Sequence, residues 1–222
     1  MPAISPTYRF AMAACTPFVR WWGRLEVSGL EAMPADGPVL LAGNHDSYWD
    51  PVAVGIAALP RRQIKALAKS SLWKIRGLHW VLDGMGQIPI QRGQGDAHAM
   101  DRAVTELREG SCIGIFPEGT RSLGRELRAR SGFGRLPEQV PEAEVVCVAV
   151  TGTADLITGL PRRPRIRVHF FRPEQGARAE GEEAKDVAVR LLAEIRRQAP
   201  IAVAGRKRRR ALAREGGAPG VA

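Results

Sequence analysis

VLLAGNHDSYWDPVAVGIAAL, residues 39–59, joins two apolar patterns through a polar junction. Its first part, VLLAGN (39–44), is a continuous apolar run closed by turn-forming residues. Such a run reads as a strand buried on both faces, the kind found in parallel sheets. Its last part, DPVAVGIAAL (50–59), reads as a helix, with Asp50 suited to the N-cap and Pro51 to the first helical position. A strand feeding a helix is the repeating unit of an α/β fold. Between them lie His45 and Asp50, five positions apart. On a straight helix that spacing amounts to roughly 140° of rotation, so the two would not share a face. A turn at Asp46-Ser47-Tyr48 ahead of the helix folds one back onto the other. The stretch is then either a loop with a satisfied histidine before a capped helix, or a base with the carboxylate that orients it. The two coexist, because a carboxylate has two oxygens and several lone pairs.

Outward from this stretch the alternation of strand and helix continues. QIKALA (63–68), MGQIPI (85–90), SCIGIF (111–116), VVCVAVTG (145–152) and RIRVHFF (165–171) read as strands. SLWKIRGLHWVL (71–82) reads as a short helix, GDAHAMDRAVTELREG (95–110) as a helix ended by Gly110, and EEAKDVAVRLLAEIRRQ (182–198) as a final amphipathic helix. TYRFAMAACTPFVRWWG (7–23) is an amphipathic helix interrupted near Pro17. The pattern predicts an α/β fold: a single domain with a mainly parallel central sheet flanked by helices. Residues 1–24 form an amphipathic membrane-surface segment, 25–198 the domain, and 199–222 a basic tail. The tail runs through RKRRR at 206–210, ends rich in Gly and Ala, and is expected to be mostly disordered.

The 222 residues allow a substantial buried core. A formal charge of +10 and a pI near 10.5 point to an anionic partner: a membrane surface, a phosphorylated substrate or a nucleic acid. Cys15, Cys112 and Cys147 are scattered, and the last two lie in apolar runs, so buried thiols in a reducing compartment are expected rather than disulfides. Neither C-x-x-C nor H-E-x-x-H occurs, so no metal is expected. No apolar run approaches the roughly 20 residues of a spanning helix, and the short segment before MAAC does not make a signal peptide. The protein is expected to lie on the cytoplasmic side of the cell membrane without crossing it.

Two further motifs carry chemistry. FPEGTRS (116–122) follows the apolar strand SCIGI and offers a glycine for close approach, a hydroxyl, and a guanidinium whose fork fits phosphate oxygens. GQIPIQR (86–92) delivers Arg92 at a strand end. Taken with N-H-D-S-Y-W-D (44–50), this ordered trio resembles the glycerolipid acyltransferase family, specifically the 1-acyl-glycerol-3-phosphate acyltransferases. The H-x-x-x-x-D block matches at His45 and Asp50, the glycine-to-arginine block at Gly86 to Arg92, and the FPEGTRS block without a change.

The resemblance spans residues 25 to 170. It implies His45 as general base on the acceptor hydroxyl and Asp50 as its orienter. Arg92, Glu118, Gly119, Thr120 and Arg121 would bind the glycerol phosphate. Glu118, being anionic, would hydrogen-bond a glycerol hydroxyl or fix the arginines. Two departures stand out: Ser70-Ser71 follow Ala68-Lys69 where an acidic residue is usual, and Cys147 replaces a proline in VCVAVTG. A cysteine inside an apolar strand is no nucleophile.

The implied reaction moves a fatty acyl group from an acyl thioester, acyl-CoA or the acyl carrier protein form, to the sn-2 hydroxyl of lysophosphatidic acid. It needs no other cofactor, and no G-x-S-x-G suggests a serine nucleophile. Another lysophospholipid or polar lipid is the alternative acceptor. A non-catalytic basic protein binding membrane or nucleic acid is the alternative class, but no nucleic-acid signature is found and no such partner is expected. No acidic residue lies between Asp50 and Asp83, while Arg61, Arg62, Lys65, Lys69, Lys74 and Arg76 do. Trp73, Lys74, Arg76 and Trp80, together with Trp21 and Trp22, are the expected contacts with an anionic membrane surface.

Overall fold

A computed structural model describes residues 4–91, 96–158, 163–179 and 181–202. Its strands are β1 (Glu26–Ser28), β2 (Val39–Gly43), β3 (Ile64–Lys69), β4 (Ile88–Ile90), β5 (Cys112–Ile115), β6 (Glu144–Thr151) and β7 (Arg167–Phe171). They form one sheet in the order β1-β7-β6-β2-β5-β3-β4. Every neighbouring pair is parallel except β6 and β7, so β7 and β1 run against the other five. The α/β architecture with a mainly parallel sheet is the one the sequence predicts.

The helices are α1 (Pro6–Thr16), α2 (Asp50–Ala58), α3 (Leu78–Gly84), α4 (Ala97–Arg108) and α8 (Ala184–Gln198). Three one-turn helices come between the last two: α5 (Ser131–Gly134), α6 (Leu136–Gln139) and α7 (Asp155–Thr158). β2 lies in the middle of the sheet with all five residues buried, which is why its sequence carries no polar alternation. Successive side chains of β2 and β6 go to opposite faces. Val39, Leu41, Val146, Val148 and Val150 pack with α1 and α2 in one core. Leu40, Ala42, Val145 and Cys147 pack with α4 and α8 in the other. The chain leaves β2 toward β3 and leaves β5 toward β6, in opposite directions across the sheet. The adjacent C-terminal ends of β2 and β5 therefore open the crevice where α/β sheets place their sites.

Several elements differ from expectation, each for a local reason. Asp50 is not the N-cap: Trp49 holds that position without a side-chain cap, and Asp50 is the first helical residue with its carboxylate turned back. The expected helix over 71–82 is two pieces, a 3-10 turn at Ser70–Lys74 and α3, because Gly77 at φ +81° breaks the ladder. β1 has three exposed residues and no apolar run to announce it.

The N-terminal helix does break at Pro17, where the missing N–H ends α1 and a π-helical turn, Pro17–Trp22, follows. Residues 4–24 also pack into the domain rather than standing off it. Tyr8 and Met12 are core residues, and Ser5 Oγ donates to the Gly84 carbonyl at 2.9 Å. The RKRRR run lies outside the described residues.

Candidate active site

β2 ends at Gly43, and Asn44 extends its pairing with β6 by side chain. The Asn44 amide donates to the Val150 carbonyl and accepts from the Val150 N–H, both at 2.8 Å. That anchor aims the next residue, His45, into the crevice, where it is buried and its ring stacks on Phe116 at 4.4 Å between centroids.

The turn that follows folds the chain back on itself. Asp50 Oδ2 accepts from the N–H groups of Asp46 and Ser47, both at 2.7 Å, and lies 3.1 Å from His45 Nδ1. Thr153, from the loop after β6, donates its hydroxyl to Asp50 Oδ1. Surrounded by donors, Asp50 faces Nδ1 as an acceptor. Nδ1 therefore carries the ring proton and Nε2 is left as the basic nitrogen. The five-residue spacing that no straight helix would close is closed by the loop and the first turn of α2.

The loop after β5 comes against this one. The Gly119 N–H donates to the Phe116 carbonyl at 2.9 Å, closing a turn with Pro117 at its first corner. Gly119 has φ +69°, and a Cβ there would sit 3.1 Å from Arg130 Cγ, so the position suits glycine alone. The Ser122 N–H donates to the His45 carbonyl at 2.7 Å. Glu118 is buried and accepts the His45 N–H at 2.7 Å. Burial pushes its carboxyl above the usual range, an effect that hydrogen bonds from Arg196 and the His45 N–H oppose. Thr120 is exposed at the tip. Arg121 sits over the Tyr48 ring, its Cζ 3.5 Å from the centroid, and donates to the Tyr48 hydroxyl at 2.8 Å.

The structure thus brings His45, Asp50, Glu118, Gly119, Thr120 and Arg121 to two facing loops. Arg92 lies outside the described residues. Sequence reasoning missed four supporting side chains. Asp46 and Ser122 sit inside the motifs already noted, and their hydroxyl and carboxylate bond directly. Thr153 lies just past VCVAVTG. Arg196 comes from α8, 150 residues beyond Asp46, and donates to both Asp46 oxygens at 3.0 Å and to Glu118. An arginine in the last turn of an amphipathic helix carries no local signal that it reaches a distant loop.

Cys112 and Cys147 are buried, with thiols pushed up to about 12 chiefly by that burial. Among the described residues no cluster of three or more His, Cys, Asp and Glu could hold a metal ion.

The tryptophans divide. Trp22 donates its indole N–H to the Leu156 carbonyl at 3.0 Å, and Trp73 donates to Asp83 at 2.7 Å. Trp21 and Trp80 are 75% and 74% exposed, and Phe10 on α1 is 77% exposed. Lys74 and Arg76 are exposed, as is Ile75 between them. No helix among the described residues is long and apolar enough to cross a membrane.

Comparison with known proteins gives a consistent result. Residues 24–151 match a family described as Acyltransferase. A 1-acyl-sn-glycerol-3-phosphate acyltransferase of Borreliella burgdorferi is 37% identical over 122 residues, 53% of this chain and 48% of that protein. The enzyme of the same name from Bacillus subtilis is 26% identical over 166 residues, 74% of this chain and 76% of its own length. A lyso-ornithine lipid O-acyltransferase of Pseudomonas aeruginosa is 34% identical over 109 residues, 49% of this chain and 40% of that protein. The matches thus span about half or less of the Borreliella and Pseudomonas proteins. The crystal structure of the 1-acyl-sn-glycerophosphate acyltransferase from Thermotoga maritima shares the fold. Its TM-score is 0.65 at 20% identity, over 86% of this chain and 76% of that one.

Proposed function

The chain belongs to the acyltransferase family, and from that premise we propose that it transfers a fatty acyl group from a thioester to the sn-2 hydroxyl of lysophosphatidic acid, giving phosphatidic acid for phospholipid synthesis. The observation that carries this is the His45–Asp50 contact of 3.1 Å, set beside the FPEGTRS loop at the adjacent strand end. His45 Nε2 takes the proton of the acceptor hydroxyl as its oxygen attacks the thioester carbonyl. The tetrahedral intermediate collapses, the C–S bond breaks, and the thiolate takes the proton from the imidazolium. Asp50 holds the tautomer throughout. General-base catalysis of this kind is worth about 10²–10⁴-fold. Because the thioester is already activated, no covalent acyl-enzyme is needed.

Arg92 and Arg121 clamp the phosphate, as guanidinium forks do. Gly119 lets the ligand approach the backbone and Thr120 offers a hydroxyl. Glu118 acts by holding the loops together. The donor is acyl-CoA or the acyl carrier protein thioester; no other cofactor enters. Phe10, Trp21, Ile75 and Trp80, with Lys74 and Arg76, lie on an anionic membrane at the cytoplasmic face, where cations add on the order of 1 kcal/mol each. The indole N–H groups of Trp22 and Trp73 are instead bonded within the protein.

The resemblance to a lyso-ornithine lipid O-acyltransferase favours a second acceptor, a lyso-ornithine lipid. One experiment separates them. Purified protein is given long-chain acyl-CoA or acyl carrier protein thioester with lysophosphatidic acid, lyso-ornithine lipid or lysophosphatidylcholine, with His45→Ala as control. Phosphatidic acid from wild type alone, with His45→Ala lower by at least about 10²-fold, is the expected result. Turnover of the ornithine acceptor alone would replace the substrate. Silence with every pair would sink the enzyme reading.

A further inference from the structure

Arg196 sits in the last turn of α8, beyond the matched residues 24–151, and nothing in the motifs assigns it a part. The other α8 arginines find partners away from the crevice loops. Arg190 bonds Glu182 and Glu194, and Arg197 bonds Glu174. Arg196 alone among the three bonds the crevice loops; its side chain is 15% exposed, as is that of Arg190.

One guanidinium there serves two carboxylates from two different loops. Nη1 and Nη2 each donate to Asp46 at 3.0 Å, a two-pronged grip, and Nη2 also donates to Glu118. Both carboxylates in turn hold the histidine loop. Glu118 accepts the His45 N–H at 2.7 Å. Asp46 accepts the Ser122 hydroxyl, and the Ser122 N–H donates to the His45 carbonyl at 2.7 Å. Both backbone polar groups of His45 are therefore held by residues that Arg196 organises. Without that cation, two buried carboxylates would face each other with no counter-charge, at a high desolvation cost. A lysine ammonium is a point donor and cannot grip Asp46 in two-pronged fashion while reaching Glu118.

We propose that Arg196 is a positioning residue for the general base: it ties α8 to the loops after β2 and β5 and so fixes His45 between the acceptor hydroxyl and Asp50. This rests on the acyl-transfer reading of the site.

The test compares Arg196→Met, Arg196→Lys and the surface control Arg197→Met with wild type. Turnover of lysophosphatidic acid is followed across pH, and the His45 ring is followed by NMR of histidine-labelled protein. Arg196→Met should lower kcat by about 10²-fold with KM for both substrates within about threefold, the mark of a lost transition-state arrangement. Arg196→Lys should recover about tenfold of the loss, and Arg197→Met should match wild type.

Among the described residues, the charged and titratable groups around the histidine loop include Asp46, Tyr48 and Asp50 within it, Glu118 and Arg121 from the loop after β5, and Arg196. Losing the last leaves the balance more negative, so the acid limb of kcat should move to higher pH and the His45 ring signals should shift. A kcat within about threefold of wild type, a loss confined to KM, or unmoved His45 ring signals would overturn the proposal. If Arg196→Met does not unfold cooperatively, Arg196→Lys decides by the same criteria. If wild type itself turns over no acceptor, the acyl-transfer reading fails, and the His45 ring signals alone decide the role of Arg196.

Discussion

The loop from Asn44 to Asp50 and the surface made by α1, the Pro17–Trp22 turn and α3 treat polarity in opposite ways. In the loop Asn44, His45, Asp46 and Asp50 are buried, each satisfied by named partners. On the surface Phe10, Trp21 and Trp80 show about three quarters of their area to solvent. Burying charge costs free energy unless every group is paired, and leaving a large ring in water forgoes about 1.5–3 kcal/mol of burial. Neither arrangement is what stability alone would choose. Places where that choice is set aside mark where the molecule meets its substrate or its surroundings. The two differ in how they are held. The loop is fixed by hydrogen bonds to four other segments, whereas the exposed rings stand on α1, the Pro17–Trp22 turn and α3, of which the first two also give buried residues to the core.

The contrast can be broken at Asp50, which should give the largest effect. Asp50→Ala strands the Asp46 and Ser47 N–H groups and the Thr153 hydroxyl, each worth about 1–3 kcal/mol when left unpaired. A loss of about 3–5 kcal/mol in urea denaturation is expected, together with at least about 10²-fold in turnover. Asp50→Asn keeps the shape and should keep more of the stability than of the activity, since the amide offers His45 the wrong partner half the time. An Asp50→Ala protein as stable as wild type would mean the loop is not the tightly held element it looks to be.

The surface responds in the opposite sense. Phe10→Ser with Trp80→Ser should leave urea stability within about 0.5 kcal/mol, as exposed positions do. Turnover on dispersed substrate should be unchanged, while binding to anionic vesicles should fall by about tenfold or more per ring, and further with added salt. Vesicle sedimentation measures it. Unchanged partitioning would show that the exposed rings serve something other than a membrane.

Much of this was legible in the sequence, and the reasons are physical. β2 could be read because a strand covered on both faces must be apolar throughout, and VLLAG is. His45 and the FPEGTRS loop could be located because turn signals follow apolar runs at both strand ends. What could not be read was the pairing across distance. Nothing in EIRRQ separates Arg196, gripping two buried carboxylates, from Arg197, paired with the exposed Glu174. The role of Asp50 was half legible. Its place beside a proline suggested a cap, but the side chain serves the loop before the helix, a choice set by the fold of Asp46-Ser47-Tyr48. β1, with three exposed residues, is held by parallel pairing to β7 and leaves no hydrophobic trace.

The smallest expected effect sharpens the contrast most, because it asks whether the buried charges of the site stabilise the fold or are tolerated by it. Burial raises the Glu118 carboxyl, while Arg196 and the His45 N–H pull it down, and burial wins. A group whose folded pKa lies above its unfolded value contributes stability that is fully present below the unfolded pKa. That contribution is lost as pH rises through the folded pKa. The window therefore opens in the ordinary carboxylate range and closes at the higher folded value. Urea denaturation from about pH 4 to pH 7 should show wild type losing stability relative to Glu118→Gln across that window, with the difference constant above it. The opposite slope would mean that the guanidinium and the backbone donor outweigh burial. Glu118 and Asp46 would then be a net source of stability, and the loop would differ from the exposed rings in kind as well as in direction.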